Sequence, residues 1–243
     1  MRIVKLNAID STNSYLKALG NSEFIGDYTV VTAENQTEGK GQRGAVWSSE
    51  SGKNLMFSVF KDFTDVHLEY PFYISMITSL ALLKTLRSFE IPKLSVKWPN
   101  DILSADKKIC GVLIENVIKQ NKINASIIGI GLNVNQTTFE NLPKAASLKS
   151  ITNKAFDINE ILLAVISNFK DYFLILKDGK YETIKAEYEA QLFRKNKPST
   201  FKNAEGQMFS GFIKSVSDAG YLQVLLEDDV LKAFDLKEIT LLY

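Results

Sequence analysis

Two segments of the chain carry residues suited to binding an anion. Residues 39–44 read G-K-G-Q-R-G, in which the glycines leave backbone N–H groups unobstructed while Lys40 and Arg43 add positive charge. Lys108 opens an otherwise apolar stretch that is typical of a strand. A lysine there costs free energy unless its charge meets a carboxylate or a phosphate. Each feature alone has a plain alternative: a solvated surface loop, or a lysine that reaches solvent from a strand end.

The glycine-rich segment lacks the surroundings of the familiar nucleotide-binding loops. A dinucleotide-binding loop follows a strand directly and opens a helix. Here the polar residues 34–38 come before it, and W-S-S-E at 47–50 comes after it. The match extends toward a protein-kinase glycine loop, yet the chain contains no H-R-D or D-F-G sequence. No G-x-x-x-x-G-K-[ST] phosphate loop occurs either. The segment therefore predicts an anion-binding loop of another kind.

Further candidate residues lie in two short motifs beyond the loop. Residues 97–101 read K-W-P-N-D, with a predicted turn at 99–101, and residues 129–133 read G-I-G-L-N. Gly111 and Gly131 fall inside strand patterns, where glycine usually marks a bulge or the close approach of a ligand. Cys110, between Ile109 and Gly111, is more typical of a small core residue than of a nucleophile.

Periodicity and turn residues predict the elements that position these groups. A short helix is predicted from Ser11, as its cap, to Gly20, as its stop. Residues 34–53 are predicted to form a long functional loop. Further helices are predicted at 71–89, 157–176 and 180–193, and strands at 28–33, 54–60, 94–98, 109–118 and 123–133. From about residue 195, short alternating strands and frequent turns predict a small β-barrel.

Composition excludes several classes of protein. The 243 residues, 45% of them apolar, suffice for one large core and a small second domain. A net charge of +1 does not suit a protein that holds nucleic-acid phosphates. One cysteine and one histidine, His67, form neither an internal disulfide nor a zinc site, and we expect His67 to be a solvated surface residue. With no apolar signal core at the N-terminus and no bilayer-spanning stretch, we expect a cytoplasmic protein.

Taken together, the motifs resemble those of biotin protein ligases. D-S-T-N at 10–13 is similar to the family's S-T-N opening, and Gln36 with residues 39–47 is similar to its biotin and adenylate loop. K-W-P-N-D at 97–101 is a family sequence, and Lys108, followed by G-V-L-I-E, falls at the family's essential lysine. Residues 129–133 match its G-x-G-x-N segment. Several motifs in the family's order are far more specific than any one of them.

The resemblance implies an α+β fold with a mixed, mostly antiparallel sheet covered by helices. This is the class II synthetase-like catalytic domain of biotin and lipoyl ligases, followed by a small SH3-like β-barrel. We predict the catalytic domain over residues 1–193 and the barrel over residues 194–243. The implied activity uses ATP and Mg²⁺ to form biotinoyl-AMP from biotin. It then transfers biotin to a lysine of the biotin carboxyl carrier domain of a carboxylase.

The resemblance also implies roles for individual residues. Lys108, Lys40 and Arg43 would be catalytic, because the first step brings one anion onto another and needs charge neutralisation. Asp101 would bind Mg²⁺. The implied biotin-binding residues are Ser11, Thr12, Asn13, Gln36, Gly39, Lys40, Trp47, Lys108, Gly111 and Gly131. The implied ATP-binding residues are Lys40, Gln42, Arg43, Trp47, Lys97, Asn100, Lys108 and Asn133.

The chain departs from the family pattern in the loop and at its N-terminus. The family usually reads G-R-G-R-R-G-R/N-x-W, whereas this chain has Lys40, Gln42 and Ala45 at three of those positions. Gln42 replaces an arginine that usually contacts the adenylate, so a charge is lost there. Only ten residues precede Ser11, which leaves no room for the winged helix of the family's repressor members. We therefore expect no direct DNA binding.

Two other functions stay open on the sequence. A lipoyl ligase or octanoyl transferase has the same fold, but usually shows an R-R-x-x-G-G-G motif and no K-W-P-N-D. A catalytically weak biotin-sensing protein is the second alternative, and Gln42 is its support. The sequence does not determine the oligomeric state, a homodimer included. Nor does it determine which carboxylase accepts biotin or what the barrel does.

Overall fold

A computed structural model of the chain describes residues 1–66 and 68–243, so the prediction for His67 lies outside the described residues. The strands are β1 (Arg2–Ile9), β2 (Thr29–Gln36), β3 (Leu55–Asp62), β4 (Leu94–Lys97), β5 (Asp101–Ser104), β6 (Lys107–Lys119), β7 (Lys122–Leu132), β8 (Pro198–Asn203), β9 (Met208–Val216), β10 (Leu222–Leu226), β11 (Leu231–Phe234) and β12 (Ile239–Leu242). The helices are α1 (Thr12–Ser22), α2 (Phe72–Ser88), α3 (Leu148–Thr152), α4 (Ile158–Lys177) and α5 (Tyr181–Ala190).

The main sheet has seven strands in the order β1-β2-β3-β7-β6-β5-β4. β1 and β2 are parallel, and the other neighbouring strands of this sheet are antiparallel. Helices α2, α4 and α5 pack together on one face, while α1 contacts β2, β3 and β7. The predicted mixed, mostly antiparallel sheet with helical cover is confirmed. No helix in the described part of the chain is long and apolar enough to cross a membrane.

The central strands present different side chains to their two faces, as the period of two residues in a strand requires. On β3, Leu55, Phe57 and Val59 enter the large core under α2 and α4. Ser58 lies between them in sequence and contacts the start of α1. On β7, Ile128 and Ile130 belong to the large core. The α1 face of β3 and β7 is therefore left free for polar or missing side chains.

A second, five-stranded antiparallel sheet follows, in the order β11-β10-β9-β8-β12. Its β9–β10 turn packs against the main part of the chain. Trp98 Nε1 donates to the Gly220 carbonyl at 2.9 Å, and Tyr73 Oη donates to Asp218 at 2.8 Å. The small C-terminal β unit is thus present as predicted. The boundary between residues 193 and 194 stays a prediction.

Several local predictions were wrong. Gly20 does not stop α1, which continues to Ser22, because Gly20 does not adopt the left-handed conformation that ends helices. The strand β1, the helix α3 and the strand that begins at Asp101 were not predicted. β1 alternates only weakly in hydrophobicity, and β5 has only four residues, so neither gives a clear periodic signal.

Two glycines open a notch in the sheet beside α1. Gly111 on β6 is paired directly with Gly131 on β7. A Cβ atom on Gly131 would lie 2.5 Å from the indole of Trp47, and a Cβ on Gly111 would lie 3.2 Å from it. The indole therefore occupies the space that two side chains would otherwise fill. This packing anchors the C-terminal end of the glycine-rich loop to the sheet.

Gly131→Ala is expected to expel the Trp47 indole from this notch, because 2.5 Å is far inside van der Waals contact. In a Trp98→Phe background, Trp47 is the remaining tryptophan of two, so its emission should shift to the red and become more easily quenched by acrylamide. Gly26→Ala is the matched control, since a Cβ there meets nothing within 4 Å. Equal spectra for the two alanine variants would show that the notch does not hold the indole.

Candidate functional site

Two cavities lie on the α1 side of the main sheet and share one wall. The first has a volume of about 170 Å³ and the second about 370 Å³. Both are lined by Val46, Trp47, Asp101 and Lys108. The other lining residues differ in chemistry between the cavities. Uncharged polar side chains predominate in the first cavity, to which Lys40 adds a charge, whereas lysines and aromatic rings line the second.

The first cavity is floored by neutral polar side chains. Ser11, Thr12, Asn13 and Gln36 line it. Thr12 donates its backbone N–H to Gln36 Oε1 at 2.8 Å, and Thr12 Oγ1 lies 3.0 Å from the same oxygen. Ser11 occupies the cap position of α1, but its side chain makes no capping hydrogen bond among the described residues. Its hydroxyl is therefore not used to cap the helix and is available to a ligand in the cavity.

Below this floor lies a chain of buried hydrogen bonds. Ser58 Oγ lies 2.7 Å from Thr12 Oγ1 and 2.5 Å from Asn13 Oδ1. Asn13 Nδ2 donates to Glu115 Oε2 at 2.8 Å. Thr12, Asn13 and Ser58 are 3%, 3% and 0% exposed. The orientation of each polar group is therefore set by its neighbours rather than by water.

Lys108 reaches the cavities because of a bulge in β6. On the neighbouring strand β5, Leu103 pairs with Lys108 and Ile102 pairs with Cys110. Ile109, between them on β6, therefore has no partner and is the extra residue of the bulge. Ile109 and Cys110 are both fully buried in the core, which breaks the alternation. Lys108 consequently lies on the same face as Gly111, where a Cβ would be 3.3 Å from Lys108 Nζ. Bulges commonly re-aim a side chain in this way next to a functional site.

The Lys108 ammonium meets both a carboxylate and a ring. Lys108 Nζ is 2.6 Å from Asp101 Oδ1 and 5.9 Å from the centre of the Trp47 ring. Lys97 Nζ lies 3.4 Å from the other Asp101 oxygen. The side chain of Asp101 is only 12% exposed, whereas that of Lys108 is 36% exposed. Lys108 is thus held in place and still open to a ligand.

The second cavity is cationic and partly aromatic. Besides the shared wall, Lys97, Lys144, Phe139, Asn133 and Tyr243 line it. Lys144 Nζ lies 3.8 Å from the centre of the Tyr243 ring. Burial, with Asp101 and Asp106 nearby, raises the pKa of Tyr243, so its phenol is uncharged at neutral pH. Such a cavity suits an anion that carries a flat ring.

The glycine-rich loop contributes unequally to the site. Lys40 and Gln42 line the first cavity, and Lys40 Nζ donates to Ser14 Oγ at 2.9 Å. Gly39 is buried under the loop, where a Cβ would lie 2.3 Å from the Trp47 carbonyl. Arg43 does not appear among the described residues that line either cavity, and its Nη1 donates to the Leu236 carbonyl at 3.1 Å. The structure therefore does not bring Arg43 to the other predicted catalytic residues.

The remaining predicted residues hold backbone in place. Asn100 donates to the Val112 carbonyl at 2.7 Å and lines the first cavity. Asn133 donates to the Ala146 carbonyl at 3.0 Å and lines the second. Cys110 is fully buried, and burial raises the pKa of its thiol, which agrees with a core role.

The role of Asp101 as a magnesium ligand stays a prediction. Both oxygens of Asp101 face lysine ammonium groups. The described residues contain no group of three His, Cys, Asp or Glu side chains that could hold a metal ion. Mg²⁺ is usually held by one or two carboxylates together with substrate phosphates and water, so a site at Asp101 would need the phosphates of ATP as further ligands.

Four residues of the site were not predicted. Ser58 interrupts an apolar strand, which was the available signal for it. Glu115 was seen as part of a motif but received no role. Lys144 and Tyr243 carry no motif and reach the second cavity only through folding.

The sequence matches the Biotin/lipoate A/B protein ligase family over residues 6–133. It is 29% identical over 179 residues to the bifunctional ligase/repressor BirA of Bacillus spizizenii, covering 70% of this chain and 54% of that protein. It is 28% identical to the biotin–[acetyl-CoA-carboxylase] ligase of Mycobacterium tuberculosis, covering 87% of this chain and 79% of that protein. The chain thus spans about half the length of the first curated relatives, at 54% and 53%.

Among solved structures, the fold is similar to the biotin protein ligase of Aquifex aeolicus in complex with biotin and ATP. The TM-score is 0.82 and the identity 27%, and the match covers 99% of this chain and 98% of that one. With a family match over more than half of the 243 residues, the chain belongs to the Biotin/lipoate A/B protein ligase family.

Proposed function

We propose that the chain is a biotin protein ligase that activates the carboxylate of biotin with ATP and transfers the biotinoyl group to a lysine of a biotin carboxyl carrier domain. One observation carries the proposal. A cavity floored by neutral polar side chains and a cationic cavity meet at Lys108, Asp101 and Trp47. That arrangement suits the condensation of a substrate that has an uncharged polar ring and a carboxylate with a substrate that carries phosphates.

The neutral cavity would take the ureido ring of biotin. Ureido groups offer one carbonyl and two N–H groups without charge, which match hydroxyl and amide side chains such as Ser11, Thr12 and Gln36. The Aquifex aeolicus structure named above contains biotin and ATP, which supports the same pair of substrates here. In the cationic cavity, Lys97 and Lys144 would contact phosphates.

Activation joins two anions, and this is where Lys108 acts. A carboxylate oxygen of biotin attacks the α-phosphorus of ATP, a new P–O bond forms, and the bond to pyrophosphate breaks. The ammonium of Lys108, at the wall between the cavities, reduces the repulsion between carboxylate and phosphate. In the second step the acceptor amine attacks the acyl carbon, and AMP leaves with the electrons of the acyl–oxygen bond.

The loop would protect the mixed anhydride from water. Trp47 donates its backbone N–H to the Gly39 carbonyl at 2.8 Å, and Lys40 pairs with Val46, so the loop closes on itself. The indole Nε1 of Trp47 is buried without an acceptor among the described residues. An unpaired buried donor costs about 1–3 kcal/mol, and an acceptor atom of the bound ligand would remove that cost.

A lipoyl substrate fits the first cavity less well. The dithiolane ring of lipoate offers no counterpart to the ureido carbonyl and N–H groups. It would make no hydrogen bond with the polar side chains of Thr12 and Gln36 that line the cavity, so it would bind with less favourable free energy than biotin. The same polar groups therefore favour biotin.

Incubation with biotin and MgATP should release pyrophosphate, and Lys108→Ala should lower that rate by roughly 10²-fold because a charge that stabilises the transition state is removed. Lys107→Ala is the matched control: it changes the neighbouring lysine, which is not among the described residues that line either cavity and donates to the Pro143 carbonyl. Circular dichroism would verify the fold of both variants. An unchanged rate for Lys108→Ala would remove Lys108 from the mechanism.

The acceptor is tested by mass spectrometry of a biotin carboxyl carrier domain after incubation with the protein, biotin and MgATP. One added biotinoyl group on one lysine is the expected product. Pyrophosphate release with lipoate alone would assign the chain to the lipoyl branch of its family. Adenylate formation without transfer would favour the biotin-sensing alternative.

Asp101→Asn is expected to lower the adenylation rate about tenfold, on the order of 1.4 kcal/mol, because Lys108 loses the carboxylate that holds it. Asp106→Asn, in the exposed turn after β5, is the control. The rate is measured over a range of Mg²⁺ concentrations. If excess Mg²⁺ restores the Asp101→Asn rate, then Asp101 binds the metal, as the sequence first suggested, rather than positioning Lys108.

A further inference from the structure

We infer that Glu115, Asn13 and Ser58 form a hydrogen-bond relay that makes the Thr12 hydroxyl an acceptor toward the first cavity, so that the site selects a ligand presenting an N–H group there. This inference rests on the proposed function. It adds Ser58 and Glu115 as positioning residues that act through Thr12.

Glu115 sets the direction of the relay. Its carboxylate oxygen can only accept, and it lies 2.8 Å from Asn13 Nδ2. The Leu113 carbonyl, a second acceptor, lies 3.4 Å from the same nitrogen. Two acceptors on one side fix the amide, so the Asn13 oxygen must face the opposite side.

Gly129 leaves the room for this amide. It pairs with Ser58 across β3 and β7, and a Cβ on Gly129 would lie 2.3 Å from Asn13 Oδ1. The Asn13 side chain consequently lies flat against the sheet, within reach of Ser58. A larger residue at 129 would push the amide away from the relay.

Ser58 passes the constraint on to Thr12. Its hydroxyl has one proton, and Asn13 Oδ1, at 2.5 Å, can only accept. Ser58 therefore donates its hydroxyl proton to Asn13 Oδ1. Ser58 then presents only lone pairs to Thr12 Oγ1, which lies 2.7 Å away.

Thr12 has two internal acceptors and receives no proton from either. Its own proton goes to Ser58 Oγ, or to Gln36 Oε1 at 3.0 Å. Gln36 Oε1 is fixed as the oxygen of its amide, because it also accepts the Thr12 backbone N–H at 2.8 Å. In both cases the Thr12 proton stays inside the protein, and the hydroxyl has only lone pairs left for the cavity.

The consequence is selection by hydrogen-bond polarity. A ring N–H of a ureido group can donate to Thr12 Oγ1, whereas a ligand with an oxygen at that place would face another oxygen. Because Thr12, Asn13 and Ser58 are at most 3% exposed, water does not soften the penalty. The relay thus explains why an acidic side chain and a buried serine lie behind a neutral cavity.

The test compares biotin with two analogues, each with one ring N–H replaced by oxygen. Isothermal titration calorimetry gives the dissociation constants for the native chain, for Ser58→Ala and for Ser126→Ala. In Ser58→Ala the Thr12 hydroxyl keeps only Gln36 Oε1 as an internal acceptor, at 3.0 Å and shared with the Thr12 backbone N–H, so its proton is held inside the protein less firmly. We expect the preference for biotin over one of the analogues to fall about fivefold. The KM for biotin should rise while the kcat and the KM for ATP stay within about twofold.

Ser126→Ala is the matched control. Ser126 is also fully buried in the main sheet, and its hydroxyl donates to Asn116 Oδ1 at 2.7 Å, away from the residues that line the cavity. Its loss tests the cost of deleting any buried serine hydroxyl from this sheet. The preference between ligands should stay at the native value in this variant.

Glu115→Gln is a second variant, for use if Ser58→Ala does not fold. Glu115 is only half-buried, so its replacement by glutamine should leave the fold intact. An amide at 115 can donate as well as accept, so the Leu113 carbonyl, at 3.4 Å, is the remaining group that can only accept, and the orientation of the Asn13 amide is less firmly fixed. The preference for biotin should therefore fall in the same direction. A native preference in both Ser58→Ala and Glu115→Gln overturns the relay while leaving the ligase function intact. Failure of the native chain to bind biotin overturns both proposals.

Discussion

The ion pair between Lys108 and Asp101 is the interaction around which the site is arranged. Asp101 begins β5 and is almost fully buried, and a buried carboxylate is stable only with paired charge, which Lys108 and Lys97 provide. In return, the carboxylate holds the Lys108 ammonium at the wall between the two cavities. The bulge at Ile109 brings that ammonium to the cavity face of the sheet. A shift of the β6 register by one residue would place the Lys108 side chain on the opposite face of the sheet, in the apolar core.

The same strands build both the core and the site, one on each face. Large apolar side chains such as Phe57 and Ile130 fill the helix-covered face. On the other face, Gly129 and Gly131 remove side chains, and Ser58 supplies a short polar one. The cavity therefore exists because these positions of the sheet carry small side chains or none. A site of this kind costs little stability, because the apolar face of the same strands stays fully packed.

The C-terminal sheet is tied to the site at several points, which gives it a role that the sequence left open. Trp98 of the K-W-P-N-D turn bonds to Gly220, and Arg43 of the loop bonds to Leu236. Tyr243 forms part of the second cavity and stacks under Lys144. The small sheet thus braces the turn that carries Asp101 and the glycine-rich loop that lines the first cavity. Its placement couples the loop to the rest of the chain.

The order of short motifs was enough to identify the family. Periodicity and turn residues were enough to predict the main helices and the β6–β7 hairpin, because both are local properties of the sequence. The partners of individual side chains, in contrast, could not be predicted from the residues next to them in the sequence. Arg43 was expected at the phosphates but bonds to Leu236, 193 residues away, and Ser58 was overlooked although it bonds to Asn13, 45 residues away. The pairing of Asp101 with two lysines also depends on strand register and on the bulge. Such contacts arise only when distant strands and loops pack together, since no interaction between neighbours in the chain selects them.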